Sequence, residues 1–252
     1  MIDTPQDILN LCSILEKLNN LEGLALIRVL NFYPNNYTNE EINQVCQRLN
    51  KILIRSYKLK KIDLSYNFIS SRLASLLRGI MQPIEYLNLQ DCRLDSTDIS
   101  FLNTPNMLKS LRTCKELNLS MNDFSHVHTL VFNLIGNCIR LNCLDISHCK
   151  IQTTLICQHL VNRIILNNND NHSKLKVIYI QPFLPPKMNE IIEIITSFCQ
   201  IKSLQKLYFL PSPYAFPGSN AVDRETAAIR IIKICYGILK SKGRSDIEFI
   251  DL

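Results

Sequence analysis

The chain contains no tryptophan and only 6 glycines among 252 residues. Glycine this scarce leaves little material for phosphate-cradling loops, and neither G-x-G-x-x-G nor G-x-x-x-x-G-K-[ST] occurs, which argues against a nucleotide-binding enzyme. There is no run of the roughly 18 apolar residues that a membrane-spanning helix requires. The opening stretch carries Asp3 and Asp7 with neither a basic segment nor an unbroken apolar one, so it does not read as a secretory signal peptide. Excess charge of one sign is also small. The 28 Lys and Arg against 22 Asp and Glu leave +6, too weak a bias for a nucleic-acid footprint.

Apolar material is plentiful. Hydrophobic residues make up 46% of the chain and charged residues 20%, which suits a globular unit burying roughly 70 to 75% of its unfolded surface. Ten cysteines are scattered along it. In a chain of this size without a signal peptide they read as reduced thiols of a cytosolic setting rather than a disulfide framework.

One phrase recurs. Leu59-x-x-Ile62-x-Leu64-x-x-Asn67-x-Ile69 is followed by Ile84, Leu87, Leu89, Cys92 and Leu94 at the same spacing. The spacing returns at Cys114, Leu117, Leu119, Asn122 and Phe124, and at Leu141, Leu144, Ile146, Cys149 and Ile151. Upstream it fits Ile27, Leu30, Phe32, Asn35 and Tyr37. Later copies keep the apolar skeleton at Leu175, Ile178, Ile180 and at Leu204, Leu207, Phe209, and Ile247, Ile250 and Leu252 close the series. Alternating apolar residues make a short strand with one buried face, and that face is covered only when neighbouring units stack. The ninth position turns inward where the strand ends. Asn35, Asn67 and Asn122 bring a carboxamide to the unpaired backbone there, and Cys92 and Cys149 fill the slot as small buried residues.

Helical spacing fills the intervals: Leu73, Leu76, Leu77 and Ile80; Val127, Leu130, Val131, Leu134 and Ile135; Ile191, Ile194, Ile195 and Phe198. Thr38 with Glu41 forms a capping box, and Asp95 with Asp98 makes an acidic first turn. The pattern L-x-x-L-x-L-x-x-[NC]-x-L resembles the leucine-rich repeat superfamily, and the helical intervals resemble its ribonuclease-inhibitor class. The resemblance implies an α/β solenoid, or horseshoe, of about eight repeats, with parallel strands on the concave face and helices on the convex one. Residues 1–26 are then an N-terminal helical cap, with Thr4 as N-cap and Pro5 at the first helical position, and residues 27–252 form the repeats.

In such a solenoid the residues between the apolar strand positions line the concave face. The central row predicted from the spacing is Asn31, Asp63, Asn88, Asn118, Asp145, Tyr179, Tyr208 and Asp251. The preceding row holds Val29, Lys61, Tyr86, Glu116, Cys143, Val177, Lys206 and Phe249, and the following one includes Tyr33 and Leu210. Tyr179, Tyr208, Leu210 and Phe249, with Tyr86, are the expected anchors for a partner protein, because aromatic side chains give large contact area at low entropy cost. Asp63, Glu116 and Asp145 are expected to select a basic partner. Two proline-rich stretches, Pro182–Pro186 and Pro211–Pro217, either cover these aromatics or add Tyr214 and Phe216 to the same surface.

Chemistry finds less support. His126, His128, Cys143, His148, Cys149, Cys157 and His159 are close in sequence but fall on diverging faces, so no metal site is expected. Cys143 and His148 are separated by roughly 16 Å of extended chain, too far for a nucleophile and its base. A hydrolase using concave-face carboxylates would need an enclosing pocket. The basic set Arg224, Arg230, Lys233, Lys240, Lys242 and Arg244 is spaced as the solvated face of a last helix, and neither nucleic acid nor membrane is the expected partner.

The reading is a non-catalytic scaffold, without cofactor or small-molecule substrate, that binds another protein. With 33 Ile and 25 Asn and no Sec signal, the chain looks like the translocated leucine-rich repeat effectors of intracellular bacteria. That resemblance implies non-Sec secretion into a host cytosol and a eukaryotic partner. A substrate-recruiting adaptor for a ubiquitin ligase is the alternative, but residues 1–26 leave little room for a helical docking box.

Overall fold

Each strand of this protein is three residues long with an apolar residue at its centre. The computed structural model describes residues 4–18, 20–32, 37–166, 174–181, 187–209 and 232–250. Among these residues, eight strands form one sheet: β1 (Gly23–Ala25), β2 (Lys61–Asp63), β3 (Tyr86–Asn88), β4 (Glu116–Asn118), β5 (Cys143–Asp145), β6 (Val177–Tyr179), β7 (Lys206–Tyr208) and β8 (Glu248–Ile250). Every neighbouring pair is parallel and the spatial order is the chain order. Parallel neighbours require a crossover between them, and helical segments supply it. These are α1 (Pro5–Leu15) before the sheet, α2 (Asn39–Arg55), α3 (Leu73–Leu77), α4 (Ser96–Leu102), α5 (Pro105–Leu111), α6 (His128–Asn137), α7 (Thr153–Leu155), a π turn over Ile156–Leu160, α8 (Val161–Leu166), α9 (Met188–Phe198) and a helical stretch over 232–241. Consecutive helices pack on one another in a second layer: α1 on α2, α2 on α3, α3 on α4 and α4 on α6.

The core runs unbroken between the layers. The central strand residues Leu24, Ile62, Leu87, Leu117, Leu144, Ile178 and Leu207 are buried and join one cluster that extends from Ile8 to Ile247. An all-parallel sheet with helices in every crossover is the arrangement that the repeated phrase implies, and it fits a leucine-rich repeat fold. The caps behave as their residue types dictate. Thr4 and Asp7 close a capping box on α1, with Pro5 in the first turn, and Thr38 and Glu41 close another on α2.

Two strands depart from the spacing. The first is not centred on Leu30. Leu24 pairs with Ile62, and the offset of 38 residues between β1 and β2 shrinks to 37 by the bridge between Asn31 and Phe68. The first repeat therefore holds one more residue in its turn than the second. Leu30, with its amide at Asn67, lies in that turn, and the sheet begins inside the 1–26 segment. Gly23 and Ala25, not Val29 and Asn31, occupy the first strand's open positions. At the other end, Phe249 stands opposite buried Leu207, and Glu248 and Ile250 take the outward register. Phe249 thus shares the register of Leu207, one residue away from the row expected of it. Tyr33, Asn35, Leu210, Asp251, Leu252, Arg224, Arg230 and both proline-rich stretches lie outside the described residues.

The turns after the strands share a further feature. Tyr66, Asp91, Met121 and His148, each immediately before a ninth-position residue, have φ of 59°, 48°, 61° and 57°. Non-glycine residues resist this left-handed region, so something must hold the chain there. Asn67 does so with four hydrogen bonds: its Oδ1 accepts from the Val29 and Leu30 amides at 2.8 and 2.6 Å, and its Nδ2 donates to the Leu26 and Leu64 carbonyls at 2.5 and 2.7 Å. Asn122 repeats this with the Cys92 and Leu94 amides (3.2 and 3.1 Å) and the Leu89 and Leu119 carbonyls (2.8 and 2.9 Å). Cys92 and Cys149 keep one element of it: their thiols reach the Leu64 and Leu119 carbonyls at 2.9 and 3.2 Å. In all four cases the side chain ties its repeat to the residue that follows the strand of the repeat before.

Candidate functional site

The outward row of the sheet begins with side chains occupied by their own backbone. Asp63 Oδ1 accepts from the Ser65 amide and hydroxyl (2.9 and 2.6 Å), Asn88 from the Gln90 amide (3.1 Å), Asn118 from the Ser120 amide and hydroxyl (2.9 and 2.7 Å), and Asp145 from the Ser147 amide (2.9 Å). This is the short-range bonding for which Asp and Asn are suited at strand ends. It gives the central row a structural duty as well as a place on the open face.

Asp63 is further engaged. Asn88 Nδ2 donates to its Oδ2 at 3.0 Å, and the Tyr86 hydroxyl lies 3.4 Å from the same oxygen. Tyr86 itself is pushed above the usual phenol range, first by burial and then by the Asp63 charge. Asp145 is held above the ordinary carboxylate range by burial, against the hydrogen bonds from Ser147. Glu116, by contrast, is exposed. The three acids therefore differ in character. Asp63 and Asp145 sit three strands apart in the same row, about 14 Å at the usual strand spacing, beyond the separation at which two carboxylates share a glycosidic bond.

Tyr179 and Tyr208 meet. Their registers are paired across β6 and β7, and the rings stack with centroids 4.1 Å apart and planes 13° from parallel. Both are half-buried. Burial, followed by the hydrogen bond to the Tyr208 hydroxyl, pushes the Tyr179 phenol up to about 12, so Tyr179 is neutral at physiological pH. Beside them Val177 and Cys143 are half-buried, and Lys206 pairs with Glu248 at 2.8 Å. The open face thus changes along its length, from hydrogen-bonded amides and acids on β2 to β5 to an aromatic pair on β6 and β7.

Burial, with Glu116 and Asp145 nearby, pushes the Cys143 thiol up to about 11, which keeps it protonated. Among the described residues, no three His, Cys, Asp or Glu side chains converge as metal ligands. Arg244, from the basic C-terminal set, is a structural residue: its guanidinium donates to the Cys199, Ile201 and Leu204 carbonyls at 2.8, 3.0 and 2.7 Å and pairs with Asp246 at 2.9 Å.

One feature had no signal in the repeat phrase. Asp98 is 1% exposed and reaches back into the preceding repeat, accepting from the Ser71 and Leu73 amides at 2.9 and 3.0 Å. Asp95 beside it accepts from the Ser70 hydroxyl at 3.0 Å and from the Ser71 hydroxyl. What reads in sequence as an acidic first turn is a clamp between two repeats.

No family model matches the chain. It is 35% identical over 95 residues to the leucine-rich repeat-containing protein 14 of Xenopus laevis, a match covering 37% of this chain and 18% of that relative. The chain therefore spans less than a fifth of that relative's length. The match and the parallel sheet agree on a leucine-rich repeat fold.

Proposed function

We propose that this protein is a non-catalytic scaffold that binds a partner protein across the open face of its sheet. Strands spaced about 4.8 Å apart, backed by helices that need 8 to 10 Å, bend such a stack towards the strand side. The eight strands then make a horseshoe of eight repeats with the open face concave. The observation that carries the reading is the stacked pair Tyr179 and Tyr208, with rings 4.1 Å apart on a mostly polar surface. Two rings already ordered against each other lose little freedom on binding, which is how aromatic anchors concentrate interface energy. Tyr86 and exposed Glu116 extend the contact towards the first repeats. The relative's name is consistent with a repeat protein of this kind.

The scaffold works in a reducing compartment. All ten cysteines are free thiols, and burial pushes Cys12, Cys46 and Cys235 up to about 11, 12 and 12, which suits a core kept reduced. The Ile- and Asn-rich composition supports the further reading of a bacterial effector delivered into a host cell, with a host protein as its partner.

The test is affinity capture from eukaryotic lysate with the native chain and with a Tyr179→Ala, Tyr208→Ala double variant whose fold is checked by circular dichroism. A partner retained by the native protein and lost by the folded variant is the expected result. Equal recovery by both removes the tyrosine pair from the interface, and no partner from any lysate sinks the scaffold reading.

A further inference from the structure

At one corner of the molecule, the C-terminal ends of the first three helices bring exposed apolar side chains among unpaired cations. Ile14 and Leu18 (60% and 48% exposed) belong to the end of α1, Ile54 and Tyr57 (43% and 66%) to the end of α2, and Met81 (65%) follows α3. These segments touch. The Tyr57 hydroxyl donates to Asn20 Oδ1 at 3.1 Å, the Arg55 guanidinium donates to the Glu16 carbonyl at 3.3 Å, and Gln82 Nε2 donates to the Leu53 and Ser56 carbonyls at 2.9 and 3.2 Å. Ile54 Cδ1 lies 3.1 Å from where a Cβ on Gly79 would stand. Five of the eleven exposed large hydrophobics among the described residues fall in this corner.

The same segments carry Lys17, Lys51, Lys58, Lys60 and Arg78, all exposed. Among the described residues, Lys17, Lys51, Lys58 and Arg78 have no carboxylate within ion-pair distance, and the Lys58 ammonium lies 5.9 Å from the Tyr57 ring centre. Of the nearby acids, Glu16 is held by Arg48 at 2.7 Å, and Glu85 lies 2.7 Å from Lys115 and 3.9 Å from Lys60. Glu22 alone is left without an ion pair among the described residues. The helix dipole gives a local reason for Arg55 in the last turn of α2. It gives none for Lys58, nor for apolar side chains kept in water beside these cations.

We propose that this corner docks on an anionic membrane surface. Its ammonium and guanidinium heads would lie among acidic headgroups, with Ile14, Leu18, Ile54, Tyr57 and Met81 at the boundary with the acyl chains. A nucleic-acid backbone uses such cations but leaves aliphatic side chains nothing to bury against. An anionic leaflet uses both kinds of side chain together. The corner is distinct from the tyrosine pair on β6 and β7, so a membrane-bound scaffold keeps that pair free for a partner.

The test is flotation of the full chain with vesicles of phosphatidylcholine alone and with vesicles containing about one third phosphatidylserine, at fixed salt. Two folded variants accompany it, Lys58→Glu with Arg78→Glu, and Tyr57→Ser with Met81→Ser. The native chain is expected to float only with the anionic vesicles. The charge variant should lower partitioning about tenfold or more, and the apolar variant about fivefold or more. Flotation with neither vesicle, or equally with both, overturns the proposal. Binding that is lost in the charge variant, unchanged in the apolar one and matched by soluble heparin or duplex DNA also overturns it, in favour of a polyanion.

Discussion

Replacing Asn122 tests how the repeats are joined. Its carboxamide is 2% exposed, accepts from the Cys92 and Leu94 amides, and donates to the Leu89 and Leu119 carbonyls. Asn122→Ala strands the Cys92 and Leu94 amides and the Leu89 carbonyl in the core and leaves the Leu119 carbonyl with the Cys149 thiol. Each buried polar group left unpaired costs about 1 to 3 kcal/mol, but relaxation and water entry recover part of that, so about 3 to 5 kcal/mol is expected for the three. Asn122→Cys is the informative companion. A thiol at this position can keep one bond, to the Leu89 carbonyl, as Cys92 and Cys149 do to Leu64 and Leu119, but it cannot serve the two amides as well as Oδ1 does. Its cost should fall between, at about 1 to 3 kcal/mol. Urea unfolding followed by far-ultraviolet circular dichroism ranks the three proteins. Stability in the order Asn122, Cys, Ala supports a cross-repeat tie. An Ala variant within about 1 kcal/mol of the native chain, or a Cys variant weaker than the Ala one, would refute it.

Further expectations concern the other clamps and the thiols. Asp98→Ala removes the acceptor for the Ser71 and Leu73 amides and should cost about 1 to 3 kcal/mol in the same assay; a neutral result would mean that water replaces the carboxylate. Burial holds Asp98 above the ordinary carboxylate range, so its own contribution to stability falls as pH rises through that raised value. Asp123 has the opposite sign. Lys150 at 2.7 Å and the Ser125 hydroxyl lower it to about 2, so stability from this group is complete above the ordinary carboxylate value and is lost as pH falls towards 2. Carbon-detected magnetic resonance titration should find its midpoint there, moving up in Lys150→Ala; an ordinary midpoint in the native chain would contradict the ion pair. With thiols pushed up by burial to about 12 at Cys46, Cys92 and Cys235, the native protein at pH 8 should leave these three unmodified by a thiol reagent and react at all ten in denaturant. Peptide mapping that finds Cys92 labelled in the folded chain would show that the turn opens.

The strands from β2 to β7 were legible in the sequence because the apolar skeleton recurs at a fixed spacing, with Asn or Cys marking where β2 to β5 end. The first strand was not. The series Leu24, Leu26, Leu30, Phe32 supplies apolar residues for two registers, and only pairing with Lys61–Asp63 shows that Leu24 is central. Phe249 was misplaced for the same reason, since Ile247, Phe249 and Ile250 fit neighbouring registers and the hydrogen bonds to β7 choose between them. The left-handed turns gave no signal because Tyr66, Asp91, Met121 and His148 stand where glycine would have announced them. The stacking of Tyr179 on Tyr208 follows from the repeat spacing, which places them side by side. The basic and apolar corner does not, because Lys17, Lys58 and Arg78 come together only when α1, α2 and α3 lie in order.

Hydrogen–deuterium exchange on a complex captured by this protein is the most direct test of the central claim. Protection on binding should concentrate in the peptides containing β3, β4, β6 and β7, with Tyr86, Glu116, Tyr179 and Tyr208, and leave the helical layer unchanged. Protection confined to α2, α6 and α9, with the strand peptides exchanging as in the free protein, would contradict it.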